Sequence, residues 1–594
     1  AFRGNFYVEI QPIKNLKYKT NFGYRFNAVS NRSYTDKFHL ASNSENKNDK
    51  ISQDQGVDMA WTWENTLSYS FKIDDHAADF VIGQSMEKWG IGETISGTNA
   101  NSLFPGKFDY AYLSNAQGIT SGLTTLSGEP QTAGRLASFF GRLNYNYQEK
   151  YMFSATVRAD GSSNFARGNR WGVFPSFSAG WVMTNEPFME DVTNWMDFLK
   201  IRASWGQNGN SDIANFQYLS TIAFDQSYVF GTDKITQSTG AYADILPNED
   251  ISWETSEQLD LGIDARFFNS RLGLAFDYYN KKTTDLLYKV PLPGVTGITG
   301  IYRNVGSVKN NGFEVSLGVD ILKGGDWNWS VAANLGLNRN KITELYGGKS
   351  EIITANAGTS YYIYMDKILT PGQDVDTWYG TEWAGVDPQT GAPLWYTTNE
   401  KGERITTSDY SEASKHQTIL GKLSPDFYGG FSTNLSWKNI DLSAVFGYSV
   451  GGEIYNYDRS MYDSDGAYVN YNQMNLRDDW NRWEKPGDIA THPKAEYGNK
   501  SQSSKGSSRY LEDASYLRLR SLTLGYTLPW KIQYVDNVRL SFSGENLFVL
   551  SGFSGVDPEL PAEVGSQYKA GSVGVAISPY PQARKFMFGL NVTF

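Results

Sequence analysis

The sequence predicts an all-β fold, a transmembrane antiparallel β-barrel, and three observations carry that expectation. Apolar and polar residues alternate with period two in about 17 segments, the signature of strands with one greasy and one wet face. No stretch reaches 18 consecutive apolar residues, so no transmembrane helix is encoded. Connections between segments sort into a short set and a long set, as in outer-membrane barrels, whereas a soluble sandwich has no reason to sort them.

Composition agrees. Of 594 residues, 15% are aromatic and 20% charged, and 58 are glycine, a mixture suited to pleated, half-buried surfaces. The mean hydropathy of -0.46 is low, because alternation averages polar with apolar residues. A net charge of -11 and a pI near 5.1 argue against nucleic acid as a partner. There is no cysteine, which excludes disulfides, Cys-based zinc sites and thiol nucleophiles.

Taken in order, strands are expected to start near residues 4, 16, 59, 76, 135, 151, 171, 199, 253, 271, 309, 327, 426, 440, 514, 538 and 584. Leu16, Tyr18, Phe22, Tyr24 and Phe26 oppose Lys17, Lys19, Asn21 and Arg25. Tyr151, Phe153, Ala155 and Val157 oppose Ser154, Thr156 and Arg158. Leu259, Leu261, Ile263, Ala265 and Phe267 oppose Asp260, Gly262, Asp264 and Arg266, then turn at Asn269-Ser270 into Leu272, Leu274, Phe276 and Tyr278. Trp327 to Leu335 and Val538 to Phe542 repeat the pattern, and Phe586, Phe588, Leu590, Val592 and Phe594 close it. The phase slips between Leu519 and Leu522, where a β-bulge at Arg520-Ser521 is expected.

The short turns are Lys14-Asn15, Asp74-Asp75, Glu149-Lys150, Asn269-Ser270, Lys323 to Asp326 and Lys438-Asn439. The long loops are roughly 34–58, 90–134, 208–252, 289–308, 342–423, 456–512 and 551–582. With short turns in the periplasm, the first and last strands both run downward and the C-terminus is periplasmic. An odd count of about 17 then calls for about five more strands before Ala1, since single-chain bacterial barrels are even-numbered. The total of roughly 22 is the size of plugged outer-membrane transporters.

Several segments resemble the SusC/RagA group of TonB-dependent transporters. They are SFFGRLNYNYQEKYMFSATVRADGSSNFARGNRWGVFPSFSAGWVMTNEPFM from Ser138, LKIRASWGQNGN from Leu199, NEDISWETSEQLDLGID from Asn248, NVGSVKNNGFEVSLG from Asn304, SYLRLRSLTLGYTLP from Ser515 and FSGENLF from Phe542. The resemblance implies a 22-stranded barrel holding an N-terminal plug, energised by the TonB complex, with a SusD-like lipoprotein lid on the cell surface. It implies oligosaccharide or peptide cargo. The plug and TonB-contacting segment are then expected on a companion chain, together with about five strands. The loop at 208–252 would resemble the hinge contact with the lipoprotein. After GVDPQTGAP from Gly385, where many relatives carry a carboxylate-rich calcium-like loop, Lys401 and Arg404 replace oxygen ligands.

Candidate chemistry is sparse, and neither a catalytic residue, a resident metal nor a cofactor is expected. GYSVG at Gly447 matches a nucleophile-elbow pattern but continues a barrel strand rather than a strand-to-helix turn. His39, His76, His416 and His492 lack zinc spacing. DSDG at Asp463 has no bidentate Glu at the calcium-loop distance. Cargo contact is placed on loop aromatics Tyr361, Tyr362, Trp378, Tyr379, Trp383, Trp395, Tyr396, Tyr468 and Tyr471, whose rings can stack on sugars or peptide side chains. Packing of the loops is the commoner role for such residues. Asp260, Asp264, Arg266, Arg539 and Glu545 are expected to line the lumen. Two other readings stay open: a passive porin or secretion barrel, and a secreted all-β adhesin.

Overall fold

The computed structural model describes residues 1–594 except 42–43, 119–121, 230–236, 293–294, 296, 299, 355–364, 469–474, 531–533, 560–574 and 577–580. Its main element is an antiparallel sheet of 18 strands. Seventeen coincide with the strands expected from alternation; the other, Thr125–Pro130, pairs with the outer end of the long strand His76–Ala100.

The chain divides into two compact units. The first comprises Ala1–Gly180, Ser204–Glu257 and Asp285–Val305. Its strands Phe2–Ile13, Leu16–Thr35, Lys50–Ile73, His76–Ala100, Gly134–Tyr147 and Tyr151–Ser162 pair in chain order. Pairing continues well past a membrane-spanning length: Lys50–Ile73 and His76–Ala100 run for 24 and 25 residues, against about 9–11 needed to cross a bilayer. The Thr221–Val229 and Gln237–Ile245 strands form a hairpin within the 208–252 connection.

The second unit comprises Trp181–Ala203, Gln258–Thr284 and Gly306–Phe594. Here Leu272–Thr284, Ser307–Leu322, Trp327–Glu344, Phe427–Trp437, Ile440–Val450, Tyr516–Thr527, Asn537–Ser551 and Lys585–Thr593 pair successively. Val445 pairs with Ser521 and Phe446 with Leu519, so Arg520 is the extra residue of a bulge where the apolar phase slips.

The short turns use left-handed backbone. Asn15, Asp74, Glu149, Asn269 and Lys438 all have positive φ, as do Gly324 and Gly325. Such turns match the strand twist and fix register.

The faces of the strands decide the fold class. Leu259, Leu261 and Ile263 are exposed, with Leu261 at 44%, and so are Phe276, Tyr278, Trp327, Leu540 and Phe542. Phe588 is exposed at 86%. In the first unit Tyr18, Phe22, Trp63, Leu67, Phe80, Ile82, Phe153 and Val157 are exposed on one face. Among the described residues nothing in either unit covers these rows, and contiguous apolar surface of that extent is what lipid covers.

Candidate functional site

On the opposite face of the second unit the wall carries ion pairs. Alternation puts Asp260, Asp264 and Asp277 on one side, and Arg202 reaches all three. Its Nη1 and Nη2 lie 2.5 and 2.8 Å from the two Asp277 oxygens, and its Nε and Nη1 lie 3.1 and 3.6 Å from Asp264 and Asp260. Gly262 makes this approach feasible, since a Cβ there would stand 2.4 Å from the Arg202 guanidinium carbon. Arg266 lies over the Phe198 ring at 5.4 Å. Arg539 pairs with Asp441 at 2.5 Å, again beside a glycine, Gly525, and Glu545 meets Lys585 at 3.7 Å. A recess of about 820 Å³ is lined by Lys200, Asp264, Arg266, Asn334 and Arg520. Arg202 is the organising residue that the sequence did not single out; its one local signal is a cation in the polar phase of a strand.

The surface segments of the second unit form a separate body with its own core. Trp378 packs with Met365, Tyr455, Tyr457 and Tyr510, all buried, and its Nε1 donates to Glu453 O at 2.8 Å. Trp395 is buried as well, edge-on to Trp383 at 5.7 Å and to Tyr410 at 5.3 Å. Two segments distant in sequence interlock here: Trp483 Nε1 donates to Pro388 O at 2.9 Å, Lys494 N to Gly391 O at 3.0 Å, and Tyr410 OH to Gly506 O at 2.8 Å.

Charge holds this body together. Asp463 and Asp465 are almost wholly buried. Arg509 approaches Asp465 at 2.5 Å and Asp463 at 3.5 Å, Arg482 approaches Asp465 at 2.6 Å, and His492 Nε2 lies 2.7 Å from Asp463. Burial alone would push the Asp465 carboxyl up; Arg509, Ser503 and Arg482 outweigh it and hold it below the usual carboxylate range. Burial raises the Tyr510 and Tyr455 hydroxyls, keeping them protonated. DSDG is thus the anionic half of an ion-paired lock. Arg482, His492 and Arg509 lie 17 to 46 residues away, a separation no motif reports.

The aromatics expected at the cargo site fall into three groups. Trp378 and Trp395 have 0% exposure and present no surface. Tyr379, Trp383 and Tyr396 are half-buried and Tyr468 is exposed; Arg404 lies over Tyr396 at 3.7 Å and Arg509 over Trp383 at 5.1 Å. Tyr361, Tyr362 and Tyr471 lie outside the described residues. Asp387 of the GVDPQTGAP turn accepts from Gln389 N at 2.8 Å and Thr390 Oγ1 at 2.7 Å. Those bonds hold its carboxyl below the usual range. Among the described residues no group of three or more acidic or histidine side chains is placed to hold a metal ion. In GYSVG, Gly447 makes room for the Arg520 side chain, and Ser449 pairs along a strand with Tyr516.

Exposed apolar rows on one face and ion-paired charges on the other define an integral β-barrel of a lipid bilayer. The family model described as TonB dependent receptor-like, beta-barrel matches residues 2–547, and the chain belongs to that family of bacterial outer-membrane proteins. TonB-dependent receptor P3 of Formosa agariphila is 32% identical over 626 residues, spanning 100% of this chain and 58% of the relative. TonB-dependent receptor SusC of Bacteroides thetaiotaomicron is 29% identical over 479 residues, 78% of this chain and 44% of its own length. Among solved structures, the RagAB peptide importer in the open-open state superposes with a TM-score of 0.84 at 28% identity, covering 100% of this chain and 60% of that one. The chain therefore spans about three fifths of the length of P3 and of the RagAB importer chain.

Proposed function

We propose that this chain builds the wall and surface mouth of a TonB-dependent importer that takes up oligopeptides or oligosaccharides together with a SusD-like surface lipoprotein. One observation carries the reading: the whole chain superposes on a structure titled a peptide importer, at 28% identity and a TM-score of 0.84. In this reading the plug, the TonB contact and the remaining strands belong to the part matching the other two fifths of those relatives. The lipoprotein closes the mouth from the side of the 208–252 hairpin. Cargo touches the rings that keep surface, Tyr379, Trp383, Tyr396 and Tyr468, with Tyr361, Tyr362 and Tyr471 as further contacts. Trp378 and Trp395 hold the body those rings stand on. Asp260, Asp264 and Arg266 then line the lumen, and the C-terminus at Phe594 is periplasmic.

The test is purification from native outer membranes in mild detergent. A stoichiometric lipoprotein partner, and uptake of labelled peptide or glycan that stops when TonB is removed, are the expected results. A barrel that purifies alone and conducts ions steadily without TonB would overturn the reading in favour of a passive pore.

A further inference from the structure

The lipid-facing side of the first unit carries two cations where alternation calls for apolar residues. Across the strands Tyr24 pairs with Trp61, Trp61 with Lys88, and Lys88 with Arg135. The next row inward reads Phe22, Trp63, Met86, Ala137 and Gly161, all in the same phase. Lys88 and Arg135 thus stand directly opposite each other on the outer wall, a like-charge pair that destabilises a sheet unless an anion neutralises it. Their side chains have no ion-pair or hydrogen-bond partner among the described residues. Glu87, the adjacent carboxylate, is of the opposite phase along the strand but also borders the groove between them.

Height on the wall explains why charge is tolerated there. The near end of these strands is marked by His76, 4.8 Å from the Tyr147 ring, and by Tyr147 stacked on Tyr151. His76 pairs with Tyr147, and Lys88 with Arg135 twelve residues farther along the same strands. Twelve residues span roughly 40 Å of strand, or roughly 28 Å of height at a tilt near 45°. That is about the thickness of the hydrocarbon layer. The far end carries a second aromatic belt, Phe22 against Trp61 and Phe139 against Trp171, with centroids 6.4 and 5.9 Å apart. Lys88 and Arg135 lie in the row of Trp61, at the outer edge of that belt and at the level of the opposite headgroups.

The place is also shaped. A groove of about 670 Å³ is lined by Trp61, Glu87, Lys88, Arg135, Arg170 and Trp171, so that three cations face it against one carboxylate. Immediately beyond Lys88 the strand bulges: Met59 pairs with Ile91 but Trp61 with Lys88. Gly90, at φ 65°, permits the turn, since a Cβ there would stand 2.4 Å from Thr132 O.

We propose that this groove binds the phosphorylated headgroup of an outer-leaflet lipid. Lys88 and Arg135 neutralise the phosphate, Arg170 adds positive charge, and Trp61 and Trp171 flank the first carbons of the acyl chains. Anionic headgroups are attracted by adjacent Lys and Arg at the membrane surface, and Trp rings favour that boundary. The site concerns the outer wall alone and stands whatever the cargo is.

The experiment is native mass spectrometry of the complete barrel protein in detergent, titrated with phosphorylated lipid A, with dephosphorylated lipid A, and with inorganic phosphate as competitor. The phosphorylated lipid is expected to bind at least about tenfold more tightly than the dephosphorylated one, and phosphate alone should not displace it. The double variant K88Q/R135Q is expected to bind both lipids alike, whereas K88R keeps the preference. Equal binding of the two lipids by the unaltered protein overturns the proposal, as does displacement by free phosphate or an unchanged preference in the double variant. If the double variant fails to assemble, the lipid pair on the unaltered protein still decides.

Discussion

The membrane wall and the surface body of the second unit are built from similar residues in opposite senses. In the wall, Leu, Phe and Trp point out and stay exposed, while Arg202 and its aspartates occupy the other face half-exposed. In the surface body, Trp378, Tyr455 and Tyr510 point in, and Asp463, Asp465 and Arg509 are buried beside them. The solvent is the difference. Lipid rewards an apolar exterior and requires every backbone group of a crossing strand to be paired within the sheet, whereas water drives rings inward and tolerates a buried carboxylate only when it is paired. The proposed function divides along the same line: the wall would form the passage, and the surface body presents the rings proposed to meet cargo.

The largest effect should come from unpairing the surface body. Arg509→Met removes the buried cation that Asp465 and Asp463 share, a loss of about 3–5 kcal/mol. The surface segments should become sensitive to limited proteolysis while the barrel keeps its heat-modifiable migration; loss of both together would mean that body and wall are not separable. On the wall, Leu261→Arg should cost about 2–4 kcal/mol near the bilayer midplane, read as a lower denaturation midpoint in lipid vesicles, with proteolysis of the surface segments unchanged.

A pH effect follows from the same contrast. The Asp465 carboxyl is held below its ordinary value in the folded body, so the unfolded state takes up its proton first. The stability it contributes is present above pH about 4 and is lost as pH falls through the depressed value. Surface proteolysis should therefore rise at acid pH before the wall responds. The smallest effect is expected from Arg404→Ala, which removes an exposed guanidinium stacked over Tyr396 and should change stability by about 0.5–1 kcal/mol.

The same comparison explains what was legible in the sequence. Seventeen wall strands and the bulge at Arg520 could be read because each strand writes its facing into a two-residue repeat. Turn positions were legible because Asn, Asp and Gly there serve a local backbone need. The surface body was not. Trp378 and Trp395 were grouped with Tyr379 and Tyr396 as one aromatic cluster, since nothing local separates a buried ring from a presented one. Apart from Arg459, four residues before Asp463 and 3.4 Å from it, the partners of Asp463 and Asp465 lie far along the chain, and their pairing emerges only when the segments fold onto each other. Arg202 fell between the two cases: its phase was legible, but its reach to three aspartates on neighbouring strands was not.

The central claim is that Leu259, Leu261 and Ile263 face acyl chains while Asp260 and Asp264 face the lumen. The chain has no cysteine, so single cysteines at these five positions can carry a spin label without background. In reconstituted vesicles, collision with oxygen dissolved in lipid should be high at 259, 261 and 263 and low at 260 and 264, with a water-soluble nickel chelate giving the inverse. Equal accessibility at all five positions, or the opposite phase, would contradict the membrane assignment.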